Sequence, residues 1–459
     1  MTEHYDIIWI GTGQATGTVV PRLVEAGNTV AIAEGGKFGG SCVNYGCTPT
    51  KTMVASARAA HMARRGPDFG VETGEIAIDF QRVMARQNQM RHSGSQNLED
   101  WLRSMNGVTL YPEYALFENP NQVRVGKEIV QGDTILINAG GRARIVPING
   151  IEDVDWLDNA RLLDLKELPE HLVIIGGSYI GLEFAQIFRR LGSRVTVLEA
   201  GPQLMYREDR DIARAVQDIL EEEGITIERQ AAVRHVSQPK EKQIKVTFHR
   251  DEKTHLVEAS HLLLAVGRVP NSDRLNLEAA GVDVDDRGYI QVNQVMQTSQ
   301  PHIYAVGDIN GEGAFTHTAV NDGEIFWDHF SGEDNRTLDQ RIPTYALFID
   351  PPLGRVGLNE KEARESEQKI GMATRPMRQI ARAREKDETA GLVKILVDME
   401  TEEIVGAAVL GVGGDEVVNI FTPFMYTGRS YKLFRKAVLT HPTVAELLPW
   451  ILDDLQPLD

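Results

Sequence analysis

Cysteine is nearly absent from this chain: there are two in 459 residues, Cys42 and Cys47. Long apolar runs are missing too, and none approaches the roughly 20 residues that a membrane span needs. Positive charge is short, with 48 Lys and Arg against 66 Asp and Glu, a formal net charge of −18. That balance excludes a broad nucleic-acid-binding face, which needs a basic footprint. No basic leader, long apolar core and cleavage site precede the first apolar segment, so the expectation is a cytoplasmic protein without a signal peptide. In that compartment a close cysteine pair is catalytic rather than structural. The remaining composition, 42% hydrophobic and 25% charged, is that of an ordinary globular protein, long enough for about three domains.

The two cysteines are concentrated in one stretch, Cys42-Val43-Asn44-Tyr45-Gly46-Cys47, after Gly39-Gly40-Ser41 and before Thr48-Pro49-Thr50-Lys51. Two isolated cysteines in a chain of this size would ordinarily be small buried hydrophobes. Their spacing, the preceding glycines and the helix start that follows favour redox chemistry instead. A helix is expected from Cys47 onward, with Pro49 accommodated in its first turn. The partial positive charge at its N-terminus lowers a thiolate pKa there.

Two segments share a second pattern. Tyr5–Ile10 is an apolar strand, Gly11-Thr12-Gly13 a tight turn, then a helix containing Pro21 (where a kink is expected), and Thr29–Ala33 a strand running into Glu34. Further on, His171–Ile175 is a strand and Gly176-Gly177-Ser178-Tyr179-Ile180-Gly181 the turn. Phe184–Leu191 is a helix, and Arg194–Leu198 a strand running into Glu199. The first glycine and the acid are 23 positions apart in both copies (11 to 34, 176 to 199). Glycines let the backbone approach a pyrophosphate, a helix N-terminus supplies N–H donors, and the acid binds a ribose hydroxyl. The third fingerprint position of the first copy is Thr16, which is expected to push the helix off the strand; Ser178 replaces the second glycine of the second copy. Two dinucleotide sites and a cysteine pair imply an electron relay from nicotinamide to flavin to disulfide. Glu199 suits the free 2′-hydroxyl of NAD(H) and opposes the 2′-phosphate of NADP(H), with Arg207 as the nearest downstream cation.

With these motifs the chain resembles the class I pyridine nucleotide–disulfide oxidoreductases: dihydrolipoamide dehydrogenase, glutathione reductase and mercuric reductase. Three further segments carry the resemblance. Thr298–Asp308 is similar to the family's second flavin motif, Ala265–Asn271 to its exit from the nicotinamide domain, and His441-Pro442-Thr443-Val444-Ala445-Glu446 to its catalytic His–Glu segment. The resemblance implies an α/β fold with two Rossmann-like dinucleotide-binding domains and a C-terminal α+β interface domain. The implied boundaries are 1–147 for the first part of the FAD domain, 148–267 for the NAD(P) domain, 268–339 for a central domain completing the FAD site, and 340–459 for dimerisation.

For FAD it implies Gly11, Gly13, Glu34, Gly40, Ser41, Lys51, Ala139, Gly140, Gly141, Gly307 and Asp308, the last on the ribityl chain. For NAD(H) it implies Gly176, Ser178, Tyr179, Ile180, Gly181, Glu199 and Gly267. Cys47 is then the thiol nearest the flavin, Cys42 the one that exchanges with substrate, and Lys51 pairs with Glu183. His441, oriented by Glu446, is the acid–base and acts in the partner subunit of a homodimer. Tyr179 either covers the empty nicotinamide pocket or is a packed helix-start aromatic.

Some features depart from the family. Ala139-Gly140-Gly141 lacks the hydroxyl of the usual Ala-Thr-Gly turn. The C-terminal segment Pro449–Asp459 has no cysteine, which argues against efficient mercury handling, although the Cys-Thr-Pro-Thr-Lys segment is similar to mercuric reductases. The expected substrate is a small disulfide or dithiol, or a lipoyl protein. Alternatives are a metal ion reduced by the same cysteines, or a flavin-bearing redox sensor without turnover. The run Glu221-Glu222-Glu223 reads as the exposed end of a helix.

Overall fold

The computed structural model describes residues 2–458. Strand Glu3–Ile10 is buried continuously from Ile7 to Ile10, as a parallel strand covered on both faces must be. It lies between Val30–Ala33 and Glu128–Ile137, both parallel to it; Val108–Tyr111 extends one side and Ile303–Ala305 joins Glu128–Ile137 on the other. The register aligns Ile10 with Ala33 and Ile137, and Ile137 with Ala305. Five chain segments therefore leave the sheet at one carboxyl edge, where open α/β sheets bind ligands. They begin at Gly11, Glu34, Pro112, Asn138 and Val306.

A second parallel sheet has the order Thr226–Glu228, Arg194–Leu198, His171–Ile175, His261–Leu264, Trp156–Leu157. Its carboxyl edge carries Gly176 and Glu199. An antiparallel ribbon pairs Gly141–Ala143 with Arg268–Pro270 and spans the two units. The C-terminal part is a six-stranded antiparallel sheet from Thr344–Leu347 to Gln456–Pro457.

The first nucleotide helix, Thr16–Glu25, continues through Pro21. Thr16 does not hold it away from the strand. The side chain is fully buried, and its hydroxyl accepts from Trp9 Nε1 at 3.0 Å and Asn138 Nδ2 at 3.2 Å. The second nucleotide helix begins at Tyr179, not at Phe184, and ends at Leu191. Ser178 is extended (φ −117°, ψ −171°), and Gly181 makes the early start feasible: a Cβ there would sit 2.2 Å from Gly176 O.

The cysteine segment forms two helices, Gly40–Tyr45 and Cys47–Arg64, broken at Gly46. Met53 and Ala57 of the longer helix share a core with Leu182 and Ala185 of the second nucleotide helix. Leu347, Ile349 and Leu353 of the C-terminal part belong to the same core. The cysteine segment is thus packed against both other units. Among the described residues no helix is long and apolar enough to cross a membrane.

Candidate active site

Cys42 is half-buried and Cys47 exposed, and both are free thiols. Cys47 is the first residue of its helix. The Cys42 thiol hydrogen-bonds its sulfur, which pulls the Cys47 pKa down to about 6 against an opposing effect of burial; the Thr316 hydroxyl and the Lys51 charge act in the same downward direction. Thr316 Oγ1 is 3.5 Å from Cys47 Sγ. Cys42 is pushed up, first by that same bond to Cys47 and then by burial. The pair therefore shares one proton, with the anion on Cys47. Lys51, one turn along, bonds Glu183 Oε2 at 2.6 Å, and the other Glu183 oxygen accepts from Phe348 N at 3.0 Å.

The two nucleotide loops are built alike. Glu34 accepts from Thr12 N (2.9 Å), Thr12 Oγ1 (2.7 Å) and Gly36 N (2.8 Å). Glu199 accepts from Gly177 N (2.7 Å) and Gly201 N (2.6 Å). Each acid ties the glycine turn to the loop after its own strand. At Gly13 an added Cβ would collide with Asn138 Oδ1 at 2.4 Å, and at Gly176 with Ala265 O at 2.3 Å.

Arg268 joins residues from three segments. It donates to Ser41 Oγ at 3.1 Å and to Gly141 O, and its Nε is 3.4 Å from Asp308 Oδ2. Burial raises the Asp308 carboxyl, and the Arg268 charge offsets part of that. Neither Arg268 nor Thr316 stood out in the sequence. Arg268 adjoins Gly267 in the exit motif, whereas Thr316 has no local signature. Gly307 N is held by the buried Asp322 carboxylate at 2.7 Å.

His441 and Glu446 are brought together on the C-terminal part. His441 Nδ1 is 2.8 Å from Glu446 Oε2; the His side chain is 77% exposed and the Glu 15%. The exposed apolar side chains Tyr426, Leu433, Val438 and Trp450 belong to the same part. Tyr179, at the helix start, packs edge-on against Phe315 and Tyr345.

Residues 5–323 match the family model described as pyridine nucleotide-disulphide oxidoreductase, and residues 343–452 match its dimerisation domain. The chain belongs to this family. It is 37% identical to a probable pyridine nucleotide-disulfide oxidoreductase, RclA, of Escherichia coli, over 97% of this chain and 98% of the relative. Identity is 33% to dihydrolipoyl dehydrogenase of Bacillus subtilis (96% of each) and 30% to mercuric reductase of Lysinibacillus sphaericus (97% of this chain, 81% of the relative). A solved Cu(II) complex of the HOCl-induced flavoprotein disulfide reductase RclA superposes with TM-score 0.87 at 36% identity, covering 98% of this chain and 99% of that one. The α/β fold with a C-terminal dimerisation domain is that of the family.

Family members depend on FAD and a pyridine nucleotide, and the first sheet's carboxyl edge fits the flavin dinucleotide. Arg268 Nε is buried without a hydrogen-bond partner. A Cβ at Gly140 or Gly267 would meet nothing within 4 Å, so these backbones border open space beside a cation and a desolvated carboxylate. A pyrophosphate or ribityl hydroxyl would supply the hydrogen-bond acceptor that Arg268 Nε lacks, its 3.4 Å contact with Asp308 being an ion pair alone.

Proposed function

We propose that this chain is an FAD-dependent NAD(P)H:disulfide oxidoreductase, similar to dihydrolipoamide dehydrogenase, acting on a sulfur group of a small disulfide, a dithiol or a lipoyl protein. The observation that carries this reading is the thiol pair: Cys47 at a helix N-terminus, its sulfur bonded by Cys42 and Thr316, with Lys51 one turn away. With FAD bound, the site would have a two-electron carrier to link a nicotinamide dinucleotide to the Cys42–Cys47 disulfide.

The chain's own residues would then do the following. Gly11, Gly13, Glu34, Gly40, Ser41, Ala139, Gly140, Gly141, Gly307 and Asp308 hold FAD, with Arg268 added as the cation. Lys51, fixed by Glu183, favours the Cys47 anion and would help to hold the flavin. Gly176, Ser178, Ile180, Gly181, Glu199 and Gly267 hold the nicotinamide dinucleotide, and Tyr179 guards its pocket. NAD(H) is preferred over NADP(H), because the Glu199 carboxylate opposes a 2′-phosphate while Arg207 Nε donates to Tyr206 OH.

In turnover, His441 of the partner subunit takes the proton of the Cys42 thiol, and the resulting Cys42 thiolate attacks one sulfur of the substrate disulfide, forming a mixed disulfide and expelling the other sulfur as a thiolate. His441 of the partner subunit protonates that thiolate, and Glu446 stabilises the imidazolium before the proton leaves and the ring is neutral again. The Cys47 thiolate then attacks the Cys42 sulfur, expelling the second substrate sulfur as a thiolate that takes its proton from solvent by way of the same histidine. Two electrons and two protons reach the substrate, and the Cys42–Cys47 disulfide is restored. Acid–base help of this kind is worth about 10²–10⁴-fold. The reading divides the chain at about residues 147, 267 and 339, supported by Ile303–Ala305 completing the first sheet and by the Gly141–Ala143/Arg268–Pro270 ribbon at both borders.

A second reading is metal-ion reduction by the same pair, favoured by the likeness to a Cu(II) complex of RclA. One experiment separates the two: turnover of the homodimeric holoenzyme and of Cys42→Ser with lipoamide, glutathione disulfide, Hg(II) and Cu(II), each with NADH or NADPH. The first reading expects disulfide turnover with NADH that disappears in Cys42→Ser, while reduction of an artificial dye survives. Rapid metal reduction without any disulfide turnover establishes the second. A clear NADPH preference overturns the role given to Glu199.

A further inference from the structure

This inference rests on the reading of Tyr179 as the guard of the nicotinamide pocket. Its ring stands edge-on to Phe315 (6.3 Å) and Tyr345 (5.7 Å), which stack on each other at 5.7 Å and 11°. Its hydroxyl donates to Glu208 Oε1 at 3.2 Å, and the Tyr345 hydroxyl donates to the same oxygen at 2.6 Å. The second Glu208 oxygen accepts from Arg355 Nε at 2.9 Å.

Glu208 has no part in hydride or thiol chemistry, yet its side chain is fully buried, with 0% exposure. Arg355 fixes it there. That guanidinium also bonds Asp209 Oδ2 at 2.7 Å, and Asp209 in turn is held by Lys394 at 3.1 Å. Tyr345 and Arg355 lie on the paired strands Thr344–Leu347 and Leu353–Gly357 of the C-terminal sheet.

We propose that Glu208 is a positioning residue: a latch, anchored to the C-terminal sheet, that holds the Tyr179 ring across the nicotinamide pocket until the dinucleotide displaces it. Tyr345 sets the latch strength, because it competes for the same accepting oxygen. A ligand that must open a latch binds with an affinity reduced by the open fraction. An oxygen relieved of one donor is a better acceptor for the other.

The two phenol hydroxyls therefore have opposite effects. Tyr179→Phe keeps the ring and removes the latch, so NAD⁺ binds about 3- to 10-fold tighter; a hydrogen bond to a charged acceptor supports an effect of this size. Tyr345→Phe leaves the oxygen to Tyr179, so NAD⁺ binds several-fold weaker. Calorimetric titration of NAD⁺ into the holoenzyme reads both, with thermal midpoints recorded alongside. A purely structural role lowers the midpoints without opposite-signed changes in Kd, and that result overturns the proposal, as does tighter binding in Tyr345→Phe. Tyr179→Ala separates the layers. If it tightens NAD⁺ while Tyr179→Phe matches the wild type, the ring guards without being latched: the proposal falls and the guard reading stands. If neither Tyr179 variant moves Kd, the guard reading itself fails.

Discussion

The Cys47 sulfur is where several small effects add up. A free thiol titrates near 8.5; here the Cys42 thiol, the Thr316 hydroxyl and the Lys51 charge outweigh burial and bring Cys47 to about 6. The reduced enzyme is therefore expected to hold one thiolate across the neutral range, with the pair releasing its first proton at a midpoint near pH 6, read from the pH dependence of alkylation or of long-wavelength absorption. A midpoint near 8.5 would sink the assignment. Thr316→Val tests one contribution alone. A single hydrogen bond to an anionic sulfur is worth about 1.5 kcal/mol, so the midpoint should rise by about one pH unit. No change would mean that the 3.5 Å contact contributes nothing.

At the scale of elements, the nucleotide loops depend on backbone contacts that only glycine allows. Gly181→Ala would drive a methyl into Gly176 O at 2.2 Å. It is expected to cost about 1–3 kcal/mol and to weaken NAD⁺ binding while leaving flavin content intact. Gly17, with nothing within 4 Å of its absent Cβ, should accept Ala without loss. Thermal midpoints and NAD⁺ titrations of both variants check the contrast, and equal behaviour refutes it. These loops were legible in the sequence because their chemistry is local: strand, glycines, helix and acid lie within one short stretch. The Cys42–Cys47 and His441–Glu446 pairs were legible for the same reason. Arg268, Thr316, Glu208 and Tyr345 were not, since each meets its partners across more than 25 residues of chain. Thr16 looked like a defect until Trp9 and Asn138 proved to bond its hydroxyl. Glu223 looked like the solvated end of an acidic run, but its side chain is only 15% exposed and binds Arg190.

Across the whole molecule, ion pairs around the buried Asp350 carboxylate join the parts. Asp350 Oδ2 bonds Arg190 at 2.6 Å, its other oxygen bonds Arg58, and Arg58 also reaches Glu388 at 2.5 Å. This ties the cysteine helix and the second nucleotide helix to the C-terminal part. Asp350→Ala leaves Arg190 with Glu223 and Arg58 with Glu388 and is expected to cost about 1–3 kcal/mol, seen as a lower urea midpoint; no measurable loss would refute the network's role. Burial alone would raise the Asp350 carboxyl, but Arg190 and Arg58 outweigh it and hold it below the usual range. A carboxyl whose folded pKa is depressed stabilises above its unfolded value, near 3.9, and that contribution is lost as pH falls through the folded one. Acid unfolding below about pH 4 should therefore be steeper in the wild type than in Asp350→Asn.

The carboxylates of Glu34 and Glu199 hold the amides of their own loops. Each cradle is held by the chain's own hydrogen bonds, so a docking ribose hydroxyl would donate to a carboxylate fixed in place instead of ordering a floppy segment. The entropic toll of shaping the loops falls on the polypeptide and not on the incoming ligand. A protein made in flavin-starved cells should therefore keep both moulds and regain its colour quickly once FAD is supplied.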